Sequence, residues 1–532
     1  MATTGLLPES ADRWNEADRK SFLDFCLRSA LAMSSRAKKA IVVGAGPVGC
    51  LAAISLARRG WQVELFEGRP DLRTPSSKKT AQLRSINLAI SHRGLAAIQV
   101  IDPLAAQRFL QTVIPMKGRM IHHPNCSLDS QLYDRDGQCI NSIDRALLNE
   151  SLLDEAASLP NIRLFFQHKV QFVDFDKKNM TVLDVANGAT LSVEFDFCVG
   201  ADGSYSVIRR QMMKVVRMDF QQEYLRDEYI ELKMPAGRDS KGDLVFALDP
   251  THLHIWPRHS FMFIALPNKD KSFTCTLFAP TAVLESLSSR QTFLAWFKRY
   301  FSDALELIGE DNLANDWARN PRSPLICTKS NPYHYLDRAI LLGDAAHAMV
   351  PFYGQGLNCG LEDVRVLDTI FAEAQVEATT SESVNATSHV DKKLAGALAR
   401  YSKSRHADLV AISDLAMANY VEMRHSVTTP AYIFRKAVDA LLYSLTSRGI
   451  ISLPFLVPLL SRVPFASDIS GWIPLYTMVT FRPDIGYATA KQRAERQSRI
   501  LAGLGWAGTG VLGMVGLSVM RLIFSHQIRP QR

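Results

Sequence analysis

A glycine turn, Gly44-Ala45-Gly46-Pro47-Val48-Gly49, separates an apolar stretch ending at Val43 from a helical pattern that runs to Arg59. Gly44 allows the tight turn, Gly46 lets a pyrophosphate approach the backbone, and Gly49 lets the helix pack closely on the strand. The helix then faces the phosphates with free N–H groups and the positive end of its dipole. Glu67 ends the next apolar stretch and is placed to accept hydrogen bonds from a ribose. Two later segments each deliver small residues and one carboxylate: Gly200-Ala201-Asp202-Gly203-Ser204 and Leu342-Gly343-Asp344-Ala345-Ala346-His347. Asp344 suits a hydrogen bond to a ribityl hydroxyl. After it, Pro351-Phe352-Tyr353-Gly354-Gln355-Gly356-Leu357-Asn358 opens a helix whose unsatisfied N–H groups could stabilise negative charge on a reduced flavin. His347 reads as a packing or capping residue, not a catalytic one.

A parallel sheet has to carry these segments. Lys39–Val43 and residues 62–66 read as buried strands flanking a helix, the βαβ unit that a dinucleotide turn requires. Residues 195–199 and 339–342 read as two more short apolar strands, 146–159 as a helix, and 163–170 and 181–185 as strands. Between 228 and 278 the pattern becomes all-β, with strands at 229–234, 253–256, 261–266 and 273–278 between Pro, Asn, Lys and Asp turns. From Leu361 onward the chain reads as helical, with a Ser/Thr/Glu-rich loop before helices resume at Lys392.

Composition narrows the function classes. The 532 residues are 47% hydrophobic and 21% charged, a globular balance with room for about three or four structural units. Eight cysteines form no CxxC pair, which argues against a zinc site or a disulfide scaffold. The net charge of +8 is a mild excess spread along the chain, so nucleic-acid binding has little support. Residues 1–37 read as an extension with a helix around 21–33, and Glu9, Asp12, Glu16, Asp18 and Asp24 argue against a mitochondrial presequence. Residues 500–520 carry no charge and lie between Arg499 and Arg521. As a helix they would span about 31 Å, enough for a transmembrane or membrane-anchoring segment.

In their order, the segments around Gly44, Asp202 and Asp344 resemble the FAD-dependent aromatic hydroxylases, the class with the para-hydroxybenzoate hydroxylase fold. Longer blocks are similar to the kynurenine 3-monooxygenase family. They are Arg84-Ser85-Ile86-Asn87-Leu88-Ala89-Ile90-Ser91-His92-Arg93-Gly94, Met116-Lys117-Gly118-Arg119-Met120, Leu253-His254-Ile255-Trp256-Pro257-Arg258, Asn419-Tyr420-Val421-Glu422-Met423 and residues 473–481. The similarity runs from about residue 38 to the end of the chain. Residues and resemblance together lead us to expect an α/β fold. A Rossmann-like FAD-binding domain (38–110, 140–220 and 320–375) would be interleaved with an antiparallel β-sheet substrate domain (111–139 and 221–319). A polar loop (376–391), a C-terminal helical region (392–498) and the membrane helix would follow.

The resemblance implies an NADPH- and O2-dependent enzyme. It would convert L-kynurenine to 3-hydroxy-L-kynurenine through a flavin C4a-hydroperoxide on noncovalent FAD, within tryptophan degradation and de novo NAD biosynthesis. It implies cofactor contacts at Gly44, Gly46, Gly49, Glu67, Ala89, Arg145, Val170, Asp202, Gly203, Asp344, Leu357 and Asn358, with Asp202-Gly203 the family's marker for NADPH. It implies substrate contacts at Arg119, Tyr133, Asn419 and Tyr476. These types suit an α-amino acid: a guanidinium offers a planar fork to the carboxylate, Tyr133 can bond the same group, and Asn419 can serve the polar groups. No protein nucleophile or metal is required, because the ring's own amino group directs attack to the ortho carbon. Family members sit on the mitochondrial outer membrane with the catalytic body facing the cytosol, and the same placement is expected here. Two rival readings remain at this point: another flavin hydroxylase, such as one in ubiquinone synthesis, and a non-enzymatic binding protein of the GDP-dissociation-inhibitor type.

Overall fold

The computed structural model describes residues 35–77, 87–134, 136–381, 390–447 and 471–503. The helix expected around 21–33 and residues 504–520 of the expected membrane helix lie outside these. Among the described residues no helix is long and apolar enough to cross a membrane.

Lys39–Val43 is buried over its last four residues and takes the centre of a six-stranded sheet. Parallel partners flank it: Gln62–Glu67 and Ile162–Phe166 on one side, Phe197–Gly200 and Ala339–Leu341 on the other, with His334–Tyr335 antiparallel at the edge. A strand buried on both faces cannot alternate, and Ile41, Val42, Leu65, Cys198, Val199 and Ile340 are indeed apolar and fully enclosed. The Pro47–Arg58 helix covers the sheet with a proline in its first turn, where a missing N–H removes no bond. The strand expected at 163–170 is two strands. Gln167, at φ 57, breaks it into Ile162–Phe166 in the parallel sheet and His168–Asp174 in a separate three-stranded sheet.

A seven-stranded sheet forms the second layer, in the order Ser323–Asn331, Asp219–Met234, Phe273–Pro280, Phe261–Pro267, His252–Arg258, Gly118–His122 and Leu128–Leu132. Its strands alternate sharply. Leu253, Met262, Ile264 and Thr276 point to one face, while Trp256, Phe263, Phe273 and Leu277 join a separate aromatic core on the other. That core is closed by four helices, Thr281–Ser286, Arg290–Tyr300, Ser302–Ile308 and Glu310–Arg319, in a span assigned from the sequence to the antiparallel β-sheet domain. Ser323–Asn331, expected in the nucleotide domain, instead pairs along the edge of this sheet. Its partner runs sixteen residues, and the polar first half of that strand hid it from the sequence pattern.

The described C-terminal residues are largely helical. The 33-residue helix Lys392–Arg424 is followed by Pro430–Ser447, then by the short helix Leu475–Phe481.

Candidate active site

One cavity of about 680 Å³ runs from the glycine turn, between the two layers, to the alternating face of the seven-stranded sheet. At its first end two of the three glycines, Gly44 and Gly49, are sterically dictated. Gly44 has φ +102, and a Cβ there would lie 2.4 Å from the Ala201 carbonyl oxygen. A Cβ on Gly49 would lie 1.9 Å from the Gly44 oxygen, so this residue serves helix packing and is not part of the cavity wall. Gly46 faces open space, with nothing within 4 Å of a built Cβ, as an approaching pyrophosphate would need. Glu67 lies beside the turn and accepts from the Ala45 N–H at 3.0 Å and the Arg69 N–H at 3.0 Å. Burial opposes its charge, and the bonds from Arg69 and Ala45 hold its carboxyl below the usual range.

Further along, Ala89, Arg145, Val170, Gly203, Asp344 and Leu357 all line the cavity. Asp344 is exposed to it at the start of Asp344–His347. Gly356 and Leu357 begin the 18-residue helix Gly356–Glu373, so its unsatisfied N–H groups open onto the cavity wall. Asp202 lines the cavity too, but its carboxylate is turned to the helix Val207–Met212, accepting from the Val207 N–H at 2.6 Å and the Ser206 hydroxyl at 2.5 Å. Asn358 differs from expectation. It does not line the cavity: its amide donates to the Ala89 and Gly354 carbonyls at 2.8 and 2.6 Å and accepts from the Ser91 N–H at 2.8 Å. With both donors and its oxygen engaged, the Asn358 side chain clamps the strand that bears Ala89.

At the far end Arg119, 6% exposed, projects from Gly118–His122. Tyr133 and Tyr476 stack with ring centroids 4.9 Å apart, and the guanidinium lies 5.7 and 5.3 Å from their centres. Burial opposes the charge of Arg119, yet the oxygens of Tyr432, Tyr133, Tyr476 and Glu422 hold it above the ordinary range. Burial likewise keeps the phenols of Tyr133, Tyr353 and Tyr476 neutral. The buried Arg119 Nε and Tyr133 hydroxyl find no hydrogen-bond partner among the described residues. Leaving two such groups dry and unpaired costs on the order of 1–3 kcal/mol each, which a bound carboxylate would recover.

Asn419 also departs from expectation. It is buried beside the cavity without lining it, and its Nδ2 donates to the Phe352 carbonyl at 2.7 Å. It thereby fixes the turn Pro351–Tyr353, whose Phe352 and Tyr353 rings form the wall. The sequence reading missed Glu422, 3.5 Å from Arg119 and 3.0 Å from the Tyr432 hydroxyl, although it stands three residues after Asn419 on the same helix. It also missed Lys436 on Pro430–Ser447. Burial, with Arg119 next, pushes the Lys436 ammonium down to about 8.

The arrangement fits an extended dinucleotide at one end and a small anionic aromatic molecule at the other. Residues 37–400 match the family described as FAD binding domain. Kynurenine 3-monooxygenases of Cryptococcus neoformans and Yarrowia lipolytica are 44% and 43% identical to this chain, each alignment covering 90% of it and 96% of the relative. That of Saccharomyces cerevisiae is 39% identical, over 91% of this chain and 98% of its own. Among solved structures, 2-methyl-3-hydroxypyridine-5-carboxylic acid oxygenase superposes with a TM-score of 0.56 at 21% identity, covering 75% of this chain and 95% of that one. PqsL of Pseudomonas aeruginosa, a probable FAD-dependent monooxygenase, does so with 0.56 at 18%, covering 73% and 97%. The structural likenesses establish the FAD-dependent hydroxylase fold, and the sequence identity carried over nine-tenths of the chain establishes more: it belongs to the kynurenine 3-monooxygenase family.

Proposed function

We propose that this protein is an FAD-dependent monooxygenase that hydroxylates L-kynurenine at the ring 3-position, with NADPH as reductant and O2 as oxygen donor. The observation that carries the reading is the cavity joining the glycine turn to the Arg119 Nε and Tyr133 hydroxyl, which have no hydrogen-bond partner among the described residues. Gly44, Gly46, Glu67, Arg145, Val170 and Asp344 would hold the FAD, which when bound supplies reduction by NADPH and activation of O2. The chain's own work is binding, orientation and exclusion of water. Arg119 and Tyr133 take the substrate carboxylate. Leu253, Met262, Ile264, Phe278, Phe352 and Tyr353 enclose the ring in an apolar slot, which keeps water from reacting groups. The N–H groups at Gly356 and Leu357 favour negative charge on the adjacent ring system.

The test compares L-kynurenine with kynuramine, which has the same ring and ketone but no carboxylate. Kynurenine should perturb the absorbance of the bound flavin at concentrations where kynuramine does not. Equal perturbation by both would overturn the assignment of the carboxylate site.

The same reading extends to the tail and to location. Residues 500–520, uncharged and flanked by Arg499 and Arg521, would anchor the enzyme in a membrane, with the arginines at the headgroups. The resemblance of the chain to its family supports the mitochondrial outer membrane, with the catalytic body facing the cytosol.

A further inference from the structure

Tyr476 closes the substrate end, yet it sits on a seven-residue helix that needs to be held from outside. Helices this short are not stable alone, and their last carbonyls have no partner within the helix. Arg93 supplies both needs. It is the second residue of His92–Ile101 and is 1% exposed. Its Nε donates to the Val479 carbonyl at 3.0 Å, and its Nη2 reaches the carbonyls of Met478, Arg482 and Ile485 at 3.3, 2.9 and 2.8 Å. The Tyr487 ring lies 4.2 Å from the guanidinium, and the Tyr487 hydroxyl donates to Gln355 at 3.1 Å.

The remaining nitrogen ties this contact to the flavin end. Arg93 Nη1 donates to Glu362 at 2.7 Å, and Glu362 also accepts from Arg405 at 2.8 Å. Arg405 donates to Asp363 at 3.0 Å, and Asp363 accepts from the Gly343 N–H at 3.1 Å, one residue before Asp344. His347 donates to the same carboxylate at 2.5 Å. Burial opposes the charges on Glu362 and Asp363, but Arg405 and Arg93 on the first, and His347 and Arg405 on the second, hold both below the usual carboxylate range. The charges are matched inside a dry core, where a lost partner is felt strongly.

We propose that Arg93 is a positioning residue of the substrate site: it fixes residues 475–487 on the FAD-binding body and so seats Tyr476 against Tyr133 and Arg119. The proposal rests on the hydroxylase reading for its functional consequence, and on geometry alone for its structural one. A lysine at this position can pair with Glu362, but one ammonium with three donors cannot also serve four carbonyls.

The experiment uses the full-length holoenzyme with Arg93→Lys and, from the other side of the contact, Tyr487→Leu. Hydrogen exchange is read over 475–487 and over 39–67, together with FAD content, the KM for L-kynurenine and product formed per NADPH. Arg93→Lys should keep its FAD and normal exchange over 39–67 while exchange over 475–487 accelerates. Its KM should rise about tenfold or more, the effect of one lost charge-assisted hydrogen bond, with product per NADPH falling. Tyr487→Leu should show the same pattern more weakly. Unchanged exchange and KM in both variants would overturn the proposal, and so would an Arg93→Lys protein that loses its FAD, since that places Arg93 in the folding of the whole body. If the wild type itself makes no 3-hydroxykynurenine, the functional reading has failed, and the exchange data alone decide whether Arg93 holds the segment.

Discussion

Tyr476 lies against Tyr133 with ring planes 9° apart, although 343 positions of chain separate them. One ring comes from the sheet layer and the other from the C-terminal segment, with the Arg119 guanidinium beside both. The substrate end is therefore assembled by tertiary contact and is complete only when the C-terminal region is in place.

Arg119→Ala should separate substrate binding from cofactor binding. A charge-assisted hydrogen bond contributes roughly 1.5–3 kcal/mol, so kynurenine should bind about 10–150-fold more weakly. FAD content should stay at the wild-type level, because the glycine turn and Asp344 are untouched. Arg119→Lys should recover little, since an ammonium lacks the planar fork. Equilibrium titration of kynurenine into both variants checks this, and wild-type affinity in Arg119→Ala would refute it.

Substitutions at the other end should do the reverse. Gly49→Ala places a Cβ 1.9 Å from the Gly44 oxygen and must push the helix off the strand. We expect poor FAD retention, with thermal stability reduced by about 1–3 kcal/mol. Asp344→Ala should lose FAD affinity while leaving the melting temperature of the FAD-free protein nearly unchanged. Flavin fluorescence after gel filtration reads the retention of FAD in both, and the melting temperature of the FAD-free protein distinguishes the two.

Lys436 predicts a pH dependence. Burial and the neighbouring Arg119 bring its ammonium down to about 8 from the ordinary 10.5. As pH rises from 7 to 9, the positive charge near the carboxylate site is lost, so kynurenine affinity should fall by about two- to fivefold. In Lys436→Met, affinity should start lower and lack that step. Stability has the opposite sign: between about 8 and 10.5 the unfolded chain holds the proton that the folded chain has released, so stability from this group rises with pH. Affinity profiles of the two proteins, compared at each pH, isolate the contribution.

Removing residues 504–532 should move the protein from the membrane fraction to the soluble fraction, with FAD still bound. Membrane flotation of full-length and shortened protein reads this directly. Equal flotation of the two would return the tail to a packed or peripheral role.

The sequence revealed most of what backbone geometry decides. The glycine turn and Glu67 follow and end strands at the spacing a dinucleotide turn requires, and Asp344 lines the same cavity just after the strand Ala339–Leu341. Arg119 was legible through the family block around it, and Tyr133 through the resemblance as a whole. The orientation of amides was not. Asn358 and Asn419 lie close to the cavity, but each is claimed by carbonyls from another element, Ala89 and Gly354 for one and Phe352 for the other. Glu422, on Lys392–Arg424, and Lys436, on Pro430–Ser447, act on Arg119 from two different helices, a tertiary placement with no local pattern. The helices from Thr281 to Arg319 escaped notice because their apolar faces bury against an aromatic layer of the sheet rather than announcing themselves at a long, regular period.

The most direct test is the stoichiometry of turnover by purified protein reconstituted with FAD. With L-kynurenine present, 3-hydroxykynurenine should form at close to one molecule per NADPH consumed, with little hydrogen peroxide. Protein that stays colourless after FAD addition, or that oxidises NADPH to peroxide without forming 3-hydroxykynurenine, would contradict the account.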